Sequence, residues 1–229
     1  IANAEGDPNS VWRHVAVEPS KQRVYPYETI SVSLDESELP AGLARNGTRE
    51  LTVEDVGRHF LGAMRVWNDN VAWPRTRPFS SDDLGGYLPG DRIGYWGIER
   101  SLETHLRGSR GQAIKMLDHG TEQRIEPRRG ADVILAIDIH LQARIQALMD
   151  PAVGLTRGQT WHSRLPSELL GQPLNGTAVV LEVNSGEVLA AVSMPPISVR
   201  QLQDQPQAIW NDAIHQPFLN RPVARPYQP

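Results

Sequence analysis

The side chains best able to do chemistry are thinly spread along this chain of 229 residues. Its seven histidines are His14, His59, His105, His119, His140, His162 and His215. No two of them recur at the i, i+4 spacing that would aim two imidazoles at one metal from a helix face. Each therefore reads as a surface or hydrogen-bonded histidine. Cysteine is absent, which removes disulfides, thiolate catalysis and cysteine-ligated metals. Trp67, Trp73, Trp96, Trp161 and Trp210 are able to line a glycan groove, but packing is the commoner use of indole, and Trp73 in its proline-rich loop is the best exposed candidate.

Charged residues form two small groups. Glu99, Glu103 and Arg107 fall one and two helical turns apart. Glu99 and Glu103 repel each other at i, i+4 unless a cation offsets them, from Arg100, Arg107 or another chain. Solvated helix charge is the plainer reading of Glu99 and Arg107. Arg124, Arg128 and Arg129 make a basic cluster too small to hold an anionic surface at physiological salt, so a solvated linker is expected there. The net charge of −4 gives no general argument for nucleic acid, and none is expected as a partner. Hydrophobic residues at 39% and charged residues at 22% describe an ordinary globular chain, long enough for one large domain or two modest ones. No apolar run is long enough to span a bilayer, and no signal peptide is visible at Ile1.

The elements that must position these residues are read from pattern. The central one is a hairpin. Ala178-Val179-Val180-Leu181 and Val188-Leu189-Ala190-Ala191-Val192 flank Asn184-Ser185-Gly186, whose glycine supplies the positive φ of a tight reversal. The uninterrupted apolar run predicts a strand covered on both faces. A strand is expected within Val24–Leu34, where Ile30, Val32 and Leu34 alternate. Thr52 and the stripe Val53, Val56, Phe60, Met64 and Trp67 predict a bent helix interrupted by Gly57 and Gly62. Ile98, Leu102 and Leu106 predict another, stopped by Gly108. Gln112–Leu117 and Thr121–Ile125 read as a second hairpin around Asp118-His119-Gly120. Pro127-Arg128-Arg129-Gly130 is the linker candidate. Val133–Ile137 reads as a buried strand, and Asp138 as the cap of a helix carrying Ile139, Gln142, Ile145 and Leu148. Asn46-Gly47-Thr48 and Asn175-Gly176-Thr177 match a glycosylation acceptor but read as Asn-Gly turn chemistry.

Four stretches in order carry a family resemblance. Gly94-Tyr95-Trp96-Gly97-Ile98-Glu99, continuing through Glu103 and Leu106-Arg107-Gly108 to Gly111, resembles the pedestal motif G-x-x-G-[LI]-E-x-x-x-[ED]-x-x-L-R-G-x-x-G of the class B, monofunctional penicillin-binding proteins. Leu135-Ala136-Ile137-Asp138-Ile139-His140-Leu141-Gln142 is similar to the L-T-I-D-x-x-L-Q entry into their transpeptidase domain. The central hairpin resembles G-A-x-V-V-x-D-x-x-T-G-E-[IV]-L-A-M-V-S-x-P. Asn220-Arg221, continuing to Tyr227-Gln228-Pro229, looks like the N-R-x-x-x-x-x-Y-x-P that leads into Gly-Ser-x-x-Lys. His59-Phe60-Leu61-Gly62 matches more loosely.

The resemblance implies an α+β fold: an elongated pedestal, or dimerisation domain, over residues 1–129, followed by the first strands and helix of a transpeptidase domain over residues 130–229. The family's nucleophile is the serine of Ser-x-x-Lys. The only lysines are Lys21 and Lys115, and Glu18 and Gln112 stand three residues before them, so the motif does not occur. No catalytic, cofactor-binding or metal-binding residue is therefore assigned, and no cofactor is expected. The reading is a non-catalytic N-terminal segment of a peptidoglycan D,D-transpeptidase that serves as scaffold and interaction module. Stem peptides and β-lactams would be partners of the parent protein only, and other cell-wall synthesis or division proteins partners of the pedestal. A membrane anchor is expected upstream of residue 1, and the periplasmic side of the cytoplasmic membrane as the location. The alternative is a catalytically empty scaffold of the cell-wall machinery.

Overall fold

The computed structural model describes residues 13–18, 23, 28–67, 78–80, 82–117, 120–162 and 165–224. Trp73, the Asp118-His119 reversal and the tail from Arg225 lie outside the described residues. In chain order the strands are β1 (Arg13–Glu18), β2 (Thr29–Asp35), β3 (Thr48–Glu54), β4 (Ala63–Val66), β5 (Arg92–Trp96), β6 (Gly111–Met116), β7 (Glu122–Ile125), β8 (Gly176–Leu181) and β9 (Val188–Met194). The helices are α1 (Arg58–Leu61), α2 (Gly97–Ser101), α3 (Glu103–Leu106), α4 (Ile139–Leu148), α5 (Val199–Asp204), α6 (Pro206–Trp210) and α7 (Arg221–Ala224). The fold class is α+β, with every sheet antiparallel.

Two compact units divide the chain, and neither is continuous in sequence. The first takes residues 1–24 and 62–134, the second 25–61 and 135–229. In the first unit β6 lies between β1 and β7 in a three-stranded sheet, and β4 pairs with β5. Pro127–Gly130 is not a free linker. Ser109 and Arg128 exchange backbone hydrogen bonds of 2.8 and 3.0 Å, and Ala131 N–H donates to the His105 carbonyl at 2.7 Å. The crossing between units falls later, at Ile134–Leu135.

The second unit is built on α4. Asp138 caps it as its sequence position predicts, its side chain accepting from the His140 and Leu141 amides at 3.0 Å. The β2–β3 hairpin pairs Ile30 with Val53 and Val32 with Leu51, so its apolar side chains share a face. Val32, Leu34, Leu39, Val56, Ala143, Ala147 and Val153 form the buried core between hairpin and helix. Each larger aliphatic in it contributes about 1.5–3 kcal/mol of burial. Residues 36–47 connect these strands, with Gly47 at φ 125° just before β3 and Glu36 N–H donating to its carbonyl at 3.0 Å. The turn expected at Asn175-Gly176 does not form, since Gly176 opens β8.

Three expectations are corrected. The helix over residues 52–67 does not form. Thr52–Glu54 belong to β3, α1 is a single turn, and Ala63–Val66 are β4. Asp55, Gly57 and Gly62 all take positive φ, which ends any helix, and Val53 gains a strand partner in Ile30 instead. Val133–Ile137 forms no strand among the described residues, and Ile134 is 95% exposed. The β8–β9 hairpin forms at the expected residues, but it is not covered on both faces along its length. Ala190, Val192 and Met194 are buried, whereas Val179 is 46% and Leu181 54% exposed.

Candidate functional site

The Gly94–Gly111 motif folds into β5, α2, α3 and the start of β6, and nearly every fixed position has a structural task. A Cβ on Gly94 would sit 2.1 Å from the Glu99 carbonyl oxygen. Gly97 opens α2 at φ 66°. A Cβ on Gly108 would sit 1.9 Å from the Arg128 carbonyl oxygen, and one on Gly130 would sit 2.0 Å from that of Leu106. These close approaches of backbone to backbone exclude any side chain.

The charged positions converge on one buried cluster. Glu99 is 4% exposed and ion-paired to Arg23. The second guanidinium nitrogen of Arg23 reaches Glu103 at 2.7 Å. The repulsion between Glu99 and Glu103 is thus offset by Arg23, and the solvated reading of these charges is overturned. Glu103 also accepts from the Tyr87 hydroxyl and from the Gly94 amide, both at 3.0 Å. Tyr87 packs on Trp67 with centroids 5.9 Å apart. The Arg107 guanidinium lies 3.2 Å from the Tyr87 ring centroid and donates to the Gly86 carbonyl. Asp91 pairs with Arg110, lies 3.7 Å from Arg107, and accepts from the Leu88 amide at 2.9 Å.

Burial, reinforced by the Glu103 carboxylate, pushes the Tyr87 phenol far above its ordinary pKa, so it stays a donor. Burial lowers the Arg107 pKa, with Tyr87, Asp91 and Glu103 acting against that shift. This arrangement fixes the register of β5 against α3. It leaves the carboxylates as acceptors of fixed donors, which is a scaffold's electrostatics.

The second unit has a matching set around two of the other three motifs, the Leu135–Gln142 stretch and the hairpin. Gln142, the glutamine of the Leu135–Gln142 stretch, is 1% exposed. Its Oε1 accepts from Ala191 N–H at 2.8 Å, and its Nε2 donates to the Ala191 carbonyl at 3.2 Å. Asp138 N–H donates to the Leu189 carbonyl at 2.9 Å. These bonds close the outer edge of β9 against α4. Gln146 Oε1 accepts from Gly57 N–H at 2.9 Å and from Gln142 Nε2 at 3.1 Å. The sequence pattern showed Gln142 on the helix stripe but not its backbone partner.

Arg124 pairs with Glu126 and Arg129 with Asp132, all exposed. Trp67 is core, Trp161 is half-exposed beside His162, and Trp210 stacks on Phe218 at 4.2 Å. His215 bonds Asp212, and His59 is buried. Among the described residues no group of three or more His, Asp or Glu side chains is placed to hold a metal ion.

Residues 35–135 match the family described as the Penicillin-binding Protein dimerisation domain. Over 142 residues, 60% of the chain, it is 30% identical to peptidoglycan D,D-transpeptidase MrdA of Salmonella typhimurium. It is 26% identical over 149 residues, 62% of the chain, to peptidoglycan D,D-transpeptidase FtsI of Escherichia coli. It is 26% identical over 166 residues, 70% of the chain, to penicillin-binding protein 2A of Bacillus subtilis. The chain spans only 19%, 23% and 21% of those relatives' lengths. A solved complex between penicillin-binding protein PBP2 and MreC from Helicobacter pylori is similar at a TM-score of 0.47 and 22% identity, covering 77% of this chain and 30% of that one.

Proposed function

The chain carries the pedestal, or dimerisation, domain of a class B penicillin-binding protein, and on that premise we propose that it is the N-terminal scaffold of a peptidoglycan D,D-transpeptidase. The reaction of the whole protein is serine acyl transfer. A serine beyond residue 229 attacks the D-Ala-D-Ala amide of a stem peptide, the terminal D-alanine leaves, and the acyl group passes to the amine of a neighbouring stem. A lysine beside that serine takes its proton, and backbone N–H groups stabilise the tetrahedral oxyanion. Residues 1–229 contribute position, not chemistry. The observation that carries this reading is the Arg23–Glu99–Glu103–Tyr87 cluster, where the charged residues of the motif are spent on holding the fold.

In sequence, residues 1–129 are proposed as the pedestal and 130–229 as the opening of the transpeptidase domain, while in space residues 25–61 join the second compact unit and residues 130–134 the first. The family match supports a division near there, since it ends at residue 135. The pedestal presents a surface to other proteins of cell-wall synthesis or division. The reading implies a place in the cell envelope, on the periplasmic side; among the described residues no helix is long and apolar enough to cross a membrane.

The test is release of D-alanine from a synthetic stem-peptide donor. The full-length gene product should release it and residues 1–229 alone should not. A full-length product that folds and releases none favours the catalytically empty scaffold.

A further inference from the structure

The turn between β3 and β4 reaches three separate segments of the second unit. Asp55 Oδ2 accepts from Val199 N–H at 2.9 Å, and Gly57 N–H donates to Gln146 Oε1 at 2.9 Å. His59 Nε2 lies 2.7 Å from the Pro217 carbonyl oxygen. A carbonyl only accepts, so Nε2 carries the proton of the neutral ring. Asn220 Nδ2 donates back to the His59 carbonyl at 3.4 Å.

The receiving segment, residues 215–221, has little regular structure of its own. Side chains set its backbone. The buried Arg221 guanidinium donates to the His215 carbonyl and, at 3.5 Å, to that of Gln216. His59 donates to Pro217, and Ser193 Oγ donates to the Leu219 carbonyl at 2.7 Å. Ser193 Oγ in turn accepts from Arg221 N–H at 3.3 Å. Of these donors, His59 alone lies within residues 35–135, the part that matches the dimerisation domain.

We propose that His59 is a positioning residue. It holds segment 215–221 in place, and through that segment it sets the approach to the reactive serine. The second half rests on the proposed function; the local role does not. The mechanism is a single buried donor. Without it the Pro217 carbonyl, inside a buried residue, loses its partner, and the segment gains alternatives. Burial, and then the Arg221 charge, keep the ring neutral, against the hydrogen bond to Pro217, which favours the charged form. Other charged groups near this turn are Asp55 and Arg58 on the turn itself and the Asp212–His215 pair ahead of Pro217. β9 brings none.

The experiment compares the full-length gene product with His59→Phe, which keeps a ring but no donor, and His59→Gln, which keeps a donor. Amide hydrogen exchange is followed in residues 213–224 and in α4, and acylation by a fluorescent penicillin is timed alongside. His59→Phe should speed exchange in 213–224 by about tenfold and leave α4 unchanged, and His59→Gln should restore slow exchange. The acylation rate constant should fall by about tenfold in His59→Phe and recover in His59→Gln. Unchanged exchange in His59→Phe, or equal acceleration in α4, overturns the local role. Faster local exchange with unaltered acylation overturns the link to the reactive serine. A wild type that is not acylated at all counts against the proposed function, while exchange still decides the role of His59.

Discussion

Gln142 and Ala191 are joined by two hydrogen bonds, the side-chain amide of one accepting from and donating to the backbone of the other, at 2.8 and 3.2 Å. The side chain stands where a neighbouring strand would otherwise pair. Gln142→Leu preserves volume and strands both backbone groups. At about 1–3 kcal/mol for each unsatisfied group, the variant should lose about 3 kcal/mol in urea denaturation. A loss below about 1 kcal/mol would mean that water reaches the β9 edge.

The Arg23 cluster gives a second expectation. Glu103 is the acceptor for Arg23, Tyr87 and Gly94 together, and both ion-pair side chains are largely buried, at 14% and 12% exposure. Removing Arg23 takes the cation from two buried carboxylates at once, so Arg23→Met should cost at least about 3–5 kcal/mol, the cost of breaking one buried pair. Glu103→Leu leaves Arg23 paired with Glu99 and instead strands the Tyr87 and Gly94 donors, at about 1–3 kcal/mol each. In a double-mutant cycle of Arg23→Met with Glu103→Leu the coupling should recover only the Arg23–Glu103 part, because Glu99 still loses its cation.

Glycines separate two physical causes. Gly94→Ala drives a methyl into the Glu99 carbonyl and should prevent folding of the first unit or cost several kcal/mol. Gly186→Ala, in the open hairpin turn at φ 74° with nothing within 4 Å, carries only the backbone strain of about 1 kcal/mol. Thermal unfolding of the two variants should differ accordingly.

Much of this was legible beforehand, and the failures have causes. The hairpin at Asn184-Ser185-Gly186 and the Asp138 cap were readable because each is decided within a few residues. The helix expected over residues 52–67 followed a true apolar spacing, but Asp55, Gly57 and Gly62 take positive φ, and Val53 pairs with Ile30, a partner far from its stripe. Local pattern does not report such pairing. The burial of Glu99 was hidden for the same reason, since Arg23 lies 76 residues away. At Val133–Ile137 the apolar run is real, but no strand pairs with it among the described residues.

Acid should weaken the second unit through His59. Its folded pKa is held below the ordinary value, chiefly by burial, so the unfolded chain binds the proton first. The stability it protects is complete above the unfolded pKa of about 6.5 and is lost as pH falls from there toward the folded value. Wild type should lose stability over that interval, and His59→Gln should lose less. The carboxylates held low, Asp35, Glu182 and Asp212, start from ordinary values well below ~6.5 and are lowered further on folding, so the onset of the loss near the unfolded histidine value is not theirs.

The most direct test is the position of the acyl adduct. The full-length gene product is treated with a penicillin, digested, and the modified peptide sequenced by mass spectrometry. The adduct is expected on a serine beyond Pro229 that is followed three residues later by lysine, with residues 1–229 unmodified. A penicilloyl group on any serine within residues 1–229 would contradict the division of labour between scaffold and chemistry.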